Sequence, residues 1–378
     1  MGYYSFWPNR NQELLLAAAL SDPDTAIHAW KEWQSQEAFG TTDNGSRRLM
    51  PLVYNNLKYE DSVDSTIDEP RGYYRHIRLT NKLLLFRLEE ILALLESHGI
   101  PALVLKGAAL TAGVYRDSGL RPMIDLDIAV PRDCSRHIVG ILSEGGWAHL
   151  GWPPLASDLD QIRTLRFENP DGVELDLHFA LFEEARAWRF MLPFWADAVP
   201  LQVGRQSALT LSMTDHLLHV LVHGNRANRT MPPIRWIADA VWLLRGEGAI
   251  DWDRIVERSG SLNYQYSLSV TLKYLVDRHN VRVPEKVFLA LGKQRNLKSV
   301  LCHQMRVHPR FASFMSYPGG IYYRWRRFLL HWENYANQRG ISGQSPTISG
   351  FFEYVRARWS ARDLSQTAGL AVRRFLAP

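Results

Sequence analysis

Two short apolar runs, LVL and IAV, bracket the stretch LVLKGAALTAGVYRDSGLRPMIDLDIAV (Leu103 to Val130), and two aspartates stand one residue apart at the edge of the second. The alternation in MIDLDIAV predicts a strand, in which residues two apart face the same side. Asp125 and Asp127 then point together, with Ile124, Leu126 and Ile128 on the opposite face. Two carboxylates about 7 Å apart on one strand face repel each other, and burial worsens the repulsion. Any fold of this chain has to offset that repulsion. A divalent cation does so directly, and oxygen ligands suit Mg²⁺. A nearby arginine also does so, and Arg121 is the local one.

A third carboxylate has the same context. In VELDLHFAL, Glu174, Asp176 and His178 share one face while Val173, Leu175, Leu177 and Phe179 share the other. If this strand pairs near MIDLDIAV, Asp176 joins Asp125 and Asp127, and three carboxylates on adjacent strands make a two-metal site for phosphoryl-type transfer. An isolated D-x-D is ordinarily the solvent side of a half-exposed sheet. The Lys-Gly turn before it and the D-x-H strand after it favour the functional reading.

That turn supplies a phosphate end. A strand that turns through glycine into a helix presents free backbone N–H groups to an anion. Ala108, Ala109 and Ala112 keep the helix slim, Gly107 shapes the turn, and Lys106 adds a point charge. The pattern is not a P-loop, because G-x-x-x-x-G-K-[ST] is absent.

Around this stretch the pattern is helical. NQELLLAAAL opens with Asn11 as the expected cap, DTAIHAWKEWQSQ has helical spacing, and NKLLLFRLEEILALLESHG stops at Gly99 before Pro101. A mixed block follows. ALVL and MIDLDIAV read as strands, CSRHIVGILSEGGW as a helix, and RTLRFENP with DGVELDLHFAL as a hairpin turned at Asn169 to Gly172. Helical patterns return in TDHLLHVLVHG, IRWIADAVWLLRG, WDRIVERSG and LNYQYSLSVTLKYLVDRHN, and RGISGQSPTISG is the best candidate for a linker or mobile loop. The fold class expected is α+β: a small mixed β-sheet core flanked by helical N-terminal and C-terminal regions. The expected boundaries are a helical part at 1–98, the α/β core at 99–200 and a helical domain at 201–378.

Composition excludes some classes. At 46% hydrophobic and 22% charged residues the chain is an ordinary globular one. Its apolar runs, such as LLLAAAL, are too short to span a bilayer. MGYYSFWPNRNQ shows no signal-peptide pattern, and Cys134 and Cys302 suit a reducing compartment, so a soluble cytoplasmic protein without membrane contact is expected. The net charge is +5, and from Met305 to Pro378 there are 11 arginines, no lysine and 3 acidic residues. This is either a solvated helical surface or a docking face for an anion such as RNA.

Several residues have bland readings. His216, His219 and His223 form a stripe that packing explains, and His223 is the one best placed to reach a cleft. Arg235 and Asp239 read as an i,i+4 ion pair. Arg116 and Arg121 are either phosphate ligands or exposed loop arginines. Ser118 has no nucleophilic setting, and G-x-S-x-G is missing.

LKGAAL, then LRPMIDLDIAV, then VELDLHFAL resemble the polymerase-β-like nucleotidyltransferase superfamily, and most of all its subgroup called uncharacterised nucleotidyltransferase. Arg121, Asp125, Asp127, Asp176, Leu177 and His178 match the subgroup's R-x-x-x-D-x-D and D-L-H-aromatic pattern, with Phe179 in the aromatic place. His223, Trp236 and Asp239 match its helical segment, and the resemblance covers roughly 80–260. It implies Mg²⁺- or Mn²⁺-dependent transfer of an NMP group from an NTP, ATP first among them, with release of pyrophosphate. Asp125, Asp127 and Asp176 would be the catalytic metal ligands. Lys106, Gly107, Arg121, His178 and His223 would bind the nucleotide or its phosphates. Better-known relatives carry Gly-Ser at the turn, where this chain brings a charge instead. The acceptor implied is a hydroxyl-bearing small molecule or a peptide or protein. The alternatives are a toxin-like transferase acting on an RNA end, reached through the basic C-terminal region, and a non-catalytic nucleotide-binding or interaction protein.

Overall fold

The structure is a computed structural model that describes residues 4–150, 162–182, 188–225, 231–307, 345–359 and 361–371, with Trp332, Tyr335, Ala336 and Arg339 between them. Five helices come first: α1 (Arg10–Leu20), α2 (Pro23–Gln36), α3 (Asn44–Arg47), α4 (Met50–Leu57) and α5 (Asp68–Ser97). The cap of α1 is Asn9, not Asn11. Asn9 Oδ1 accepts the Gln12 N–H at 2.9 Å while Gln12 Oε1 accepts the Asn9 N–H at 3.0 Å, a reciprocal box that only the N-x-x-Q spacing permits. Asp22 and Asp43 cap α2 and α3 by accepting backbone N–H groups of the first turn. The 30-residue α5 starts 13 residues before the Asn81 that opens the expected pattern, and it ends where Gly99 takes φ +67°.

The sheet has seven strands: β1 (Leu103–Val104), β2 (Asp125–Ala129), β3 (Ala148–His149), β4 (Thr164–Glu168), β5 (Glu174–His178), β6 (Val199–Val203) and β7 (Gln206–Thr210). Their order is β3-β4-β5-β2-β1-β7-β6. The pairs β2·β5 and β1·β7 are parallel and the others antiparallel, so the sheet is mixed, as expected. The expected β4–β5 hairpin is present, with Gly172 at φ +77°. The boundary placed at 200 falls inside β6. The sequence reading missed the β6–β7 hairpin, which closes through Gly204 and Arg205 with Gly204 at φ +57°. Glycine at the first of two turn residues is the signal that identifies it.

Between and after the strands lie α6 (Lys106–Leu110), α7 (Ser135–Glu144), α8 (Leu192–Ala196), α9 (Met213–Gly224), α10 (Arg235–Arg245), α11 (Trp252–Ser261), α12 (Gln265–His279), α13 (Glu285–Lys293) and α14 (Leu297–Val307). The small-residue helix expected over AALTAGVY is split: α6 gives way to a π-helical turn over Thr111–Tyr115. Most of the arginine-rich segment lies outside the described residues, which there include helices Ile348–Arg358 and Leu364–Ala371; of the expected linker, residues 340–344 lie outside them, and its last three residues open the first of these helices.

Two apolar cores sandwich the sheet. One face, with Leu126, Ile128, Leu175 and Leu177, packs under α5 and α7 through Leu88, Ile91, Leu95, Ile138 and Leu142. The other core joins α1, α2 and α4 to α9, α10, α12 and α13, through Leu15, Trp30, Val53, Leu221, Ile237, Leu272 and Val287. N-terminal and C-terminal helices thus share one core on the acidic side of the sheet. No helix among the described residues is long and apolar enough to cross a membrane.

His216 and His279 are buried in this second layer, and burial pushes each ring down to about 4. Both stay neutral in the folded state at pH values where the unfolded chain takes up a proton near 6.5. Their folded values are depressed, so this stability is present above about pH 7 and is lost as pH falls from 6.5 towards 4. The expected loss by pH 5.5 is about 1.4 kcal/mol per ring. Urea unfolding between pH 7.5 and 5.5 checks this: His216→Gln should remove one ring's share of the slope, and an unchanged slope would rule out a neutral buried His216.

Candidate active site

The parallel pair β2·β5 is in the register Asp125↔Glu174, Asp127↔Asp176 and Ala129↔His178. Side chains alternate along both strands. The leucines between these residues are fully buried under α5 and α7, which leaves the acidic positions on the other face. The D-x-D and D-x-H motifs therefore meet. Oxygen and nitrogen atoms of Asp127, Asp176 and His178 lie within 4.8 Å of one another, the one such metal-capable group among the described residues. Asp125 sits one alternation earlier, half-buried.

Asp127 is 2% exposed. Its Oδ1 accepts from Lys106 Nζ at 2.5 Å and from His178 Nε2 at 2.8 Å. Burial alone would raise its carboxyl, but the Lys106 charge and the His178 hydrogen bond outweigh burial and hold it well below the carboxylate range. Burial, followed by the charge of Lys106, pushes His178 down to about 4. The neutral ring satisfies both neighbours when Nε2 carries the proton for Asp127 and Nδ1 accepts from Thr164 Oγ1, 3.2 Å away. Asp176 is less compensated. Burial and the Asp127 charge raise it to about 6, and Arg166 Nε stands 3.7 Å from its Oδ1. Burial and then Asp127 also raise Asp125.

Lys106 reaches Asp127 because of a turn that a lysine seldom adopts. Its φ is +44°, the left-handed region, at a cost of order 1 kcal/mol. The Leu105 N–H donates to the Asp127 carbonyl at 2.9 Å, which pins the turn to β2. A Cβ on Gly107 would fall 3.0 Å from Arg121 Nη1 and from Met123 Cγ, so glycine is what lets the turn lie against residues 121–123. The helix that follows is only five residues long. What the turn presents is the Lys106 charge, not the end of a long helix dipole.

Arg121 is 4% exposed, and its Nε and Nη2 grip Asp239 at 2.8 Å each. Tyr115, delivered by the π turn, donates to the same carboxylate at 2.9 Å. The expected Arg235–Asp239 pair is replaced: Asp239 serves Arg121, and Arg235 Nη1 donates to the Pro122 carbonyl at 2.6 Å. These bonds tie the entry to β2 onto α10. Asn81 of α5, fully buried, ties it from the other side. It donates to the carbonyls of Ser118 and Arg121 at 2.6 and 2.8 Å and accepts the Met123 N–H at 3.2 Å. Sequence reading missed Asn81, whose only signal was a lone amide at the start of an apolar helical run.

The histidine stripe of α9 packs. His216 Nε2 is 3.0 Å from Thr210 Oγ1, His219 stands edge-on to Phe182, and both are 3% exposed. His223 is exposed beside His219, with ring centroids 5.9 Å apart.

The two ion-pair environments predict different costs. Asp239→Ala leaves Arg121 buried without its counter-charge, at an expected 3–5 kcal/mol, roughly, by urea unfolding. Arg166→Ala removes an exposed pair with Glu174 and should cost under about 1 kcal/mol. Equal costs would contradict a structural role for the Arg121–Asp239 knot.

The comparisons with known proteins can now be set beside this geometry. No curated protein matches the chain. Among solved structures, one similarity is to the antibiotic-resistance factor ANT(2'')-Ia, at 14% identity and a TM-score of 0.36, covering 51% of this chain and 98% of that one. A second is to an antigenic nucleotidyltransferase-like protein from Paracoccidioides brasiliensis, at 15% identity and a TM-score of 0.34, covering 56% of this chain and 96% of that one. The profile of a family described as uncharacterised nucleotidyltransferase matches residues 46–280, which contain every strand of the sheet and the whole carboxylate group. The chain belongs to this family of uncharacterised nucleotidyltransferases.

Proposed function

We propose that the chain transfers an NMP group from an NTP, ATP first among them, to a hydroxyl of a small molecule or of a peptide or protein, and releases pyrophosphate. The observation that carries this reading is the Asp127↔Asp176 register, which gathers acidic side chains on one sheet face beside Lys106.

The donor set fits a divalent cation. Asp127 and Asp176 bring carboxylate oxygens together, Asp125 stands on the same strand face, and burial followed by the Asp127 charge raises Asp176. Hard cations such as Mg²⁺ or Mn²⁺ take oxygen ligands of this kind. Asp125, Asp127 and Asp176 would hold the ion, which when bound neutralises the triphosphate and polarises the reacting phosphate.

The chain's own groups do the rest. Lys106 and the Gly107 turn hold phosphate oxygens, and Lys106 keeps Asp127 ionised. His178 orients Asp127 and remains neutral. Asp176 takes the proton of the acceptor hydroxyl. The acceptor oxygen then bonds to the α-phosphorus, and the bond from that phosphorus to the β-phosphate oxygen breaks. Pyrophosphate leaves with the electron pair. Arg121, committed to Asp239, acts by positioning the strand, and His223 lies at the end of α9 as a nucleotide contact.

Purified protein, Mg²⁺, each α-labelled NTP and a cell extract test the reading, with products separated into small-molecule, protein and RNA fractions. Label should enter the small-molecule or protein fraction. Asp125→Asn/Asp127→Asn should lower it at least about 100-fold with the fold intact. Unchanged turnover in that variant sinks the metal-site reading, and label confined to RNA replaces the acceptor class. Lys106→Ala should weaken NTP binding about tenfold and acceptor binding little; equal NTP affinity would refute its phosphate role.

A further inference from the structure

Asp125 has cationic neighbours that no motif announces. The turn holding α3 is packed on the approach to α10: a Cβ on Gly45 would fall 2.2 Å from the Pro232 carbonyl oxygen, so the two segments touch backbone to backbone. Arg48 stands just after α3 and Arg235 is the first residue of α10, and the charge of Arg48 acts on Arg235. Both are half-buried. Arg235 is fixed by its 2.6 Å bond to the Pro122 carbonyl, three residues before Asp125. The Arg48 guanidinium has no hydrogen bond or ion pair among the described residues.

The charges near Asp125 do not cancel. Arg121 is matched by Asp239 and Lys106 by Asp127. Arg48 and Arg235 then face the single carboxylate of Asp125, and both act on it. Burial, then the charges of Arg121 and Arg48, push Arg235 down to about 9, as expected for like charges held close. Burial, then Arg121, lowers Arg48 as well. A second observation lies at the same place. Arg121 Nη1 is buried without a hydrogen-bond partner, at the Gly107 turn. Arg48 and Arg121 Nη1 thus leave donors without acceptors near a third arginine, which suits an anion with several oxygens.

The other end of the site has the opposite character. There Asp176 and Glu174 share one exposed arginine, Arg166. The site is therefore polar along the line from Asp176 to Asp125.

We propose that Arg48 and Arg235 clamp the pyrophosphate portion of the NTP, on the Asp125 side of the site, which leaves the Asp176 side to the acceptor. The clamp rests on the nucleotidyl-transfer reading for its ligand. It makes Arg48, which lies in the helical N-terminal region, part of the nucleotide site.

Calorimetric titration of ATP, AMP and inorganic pyrophosphate, with Mg²⁺ present, tests it on the full chain and on Arg48→Gln and Arg48→Glu. Circular dichroism and urea midpoints check that the variants are folded. Arg48→Gln should weaken ATP and pyrophosphate about tenfold and AMP less than about twofold, with Arg48→Glu weaker still. Unchanged affinity of a folded Arg48→Gln for ATP and pyrophosphate overturns the clamp, and so does an equal loss for AMP and ATP. Wild-type protein that binds neither ATP nor pyrophosphate overturns it too. Transfer of label by wild type together with an unaffected Arg48→Gln removes the clamp and keeps the reaction. Arg48-dependent pyrophosphate binding without any transfer keeps the anion site and removes the reaction.

Discussion

A carboxylate sealed into a sheet face is the constraint around which this molecule is arranged. Asp127 is almost wholly buried, and an ionised group there is tolerable only with partners in place. Lys106 and His178 are those partners, and each comes from a different part of the chain. Lys106 requires the left-handed turn, the turn requires Gly107, and Gly107 requires residues 121–123 to lie close by. His178 requires β5 to run parallel to β2 in one register only, since a one-residue slip of β5 would carry Glu174, Asp176 and His178 into the apolar core.

The second set of supports lies outside the sheet. Asn81 on α5, and on α10 Arg235 (donating to Pro122) and Asp239 (accepting from Arg121), grip the segment leading into β2 from two sides. The cost of desolvating Arg121 and Asp239 is met by a two-point geometry, with Tyr115 filling a further lone pair. Such a joint has little freedom to drift. That suits a site whose acidic groups have to meet a ligand at fixed spacing.

Much of this was legible in the sequence, and the reason is periodicity. Alternation placed Asp125, Asp127, Asp176 and His178 on single faces, and a loop of Asn, Pro, Asp and Gly announced the β4–β5 hairpin. Local signals of that kind survive folding. Partners distant in sequence left no such trace. Arg235 and Asp239, four apart on one helix, looked like a pair, but Asp239 found a better bidentate partner in Arg121, 118 residues away. Asn81 and Arg48 had no pattern at all, because their importance comes from what the fold sets beside them. The β6–β7 hairpin was missed because its strands carry few β-branched residues, and a two-residue turn was its main mark.

The shared core of the terminal helices also bears on how the chain reaches this state. The Trp236 indole N–H meets the Phe6 carbonyl, 230 residues earlier, and Arg245 bonds the Leu20 carbonyl across 225. During synthesis at about 5–20 residues per second, the apolar side of α1 has no native cover from α10 for about 10 to 45 seconds. Over that interval Leu15, Leu16 and Trp30 lack the part of their core that α9, α10, α12 and α13 complete. The acidic face of the sheet thus gains its full helical cover only after α10 has emerged.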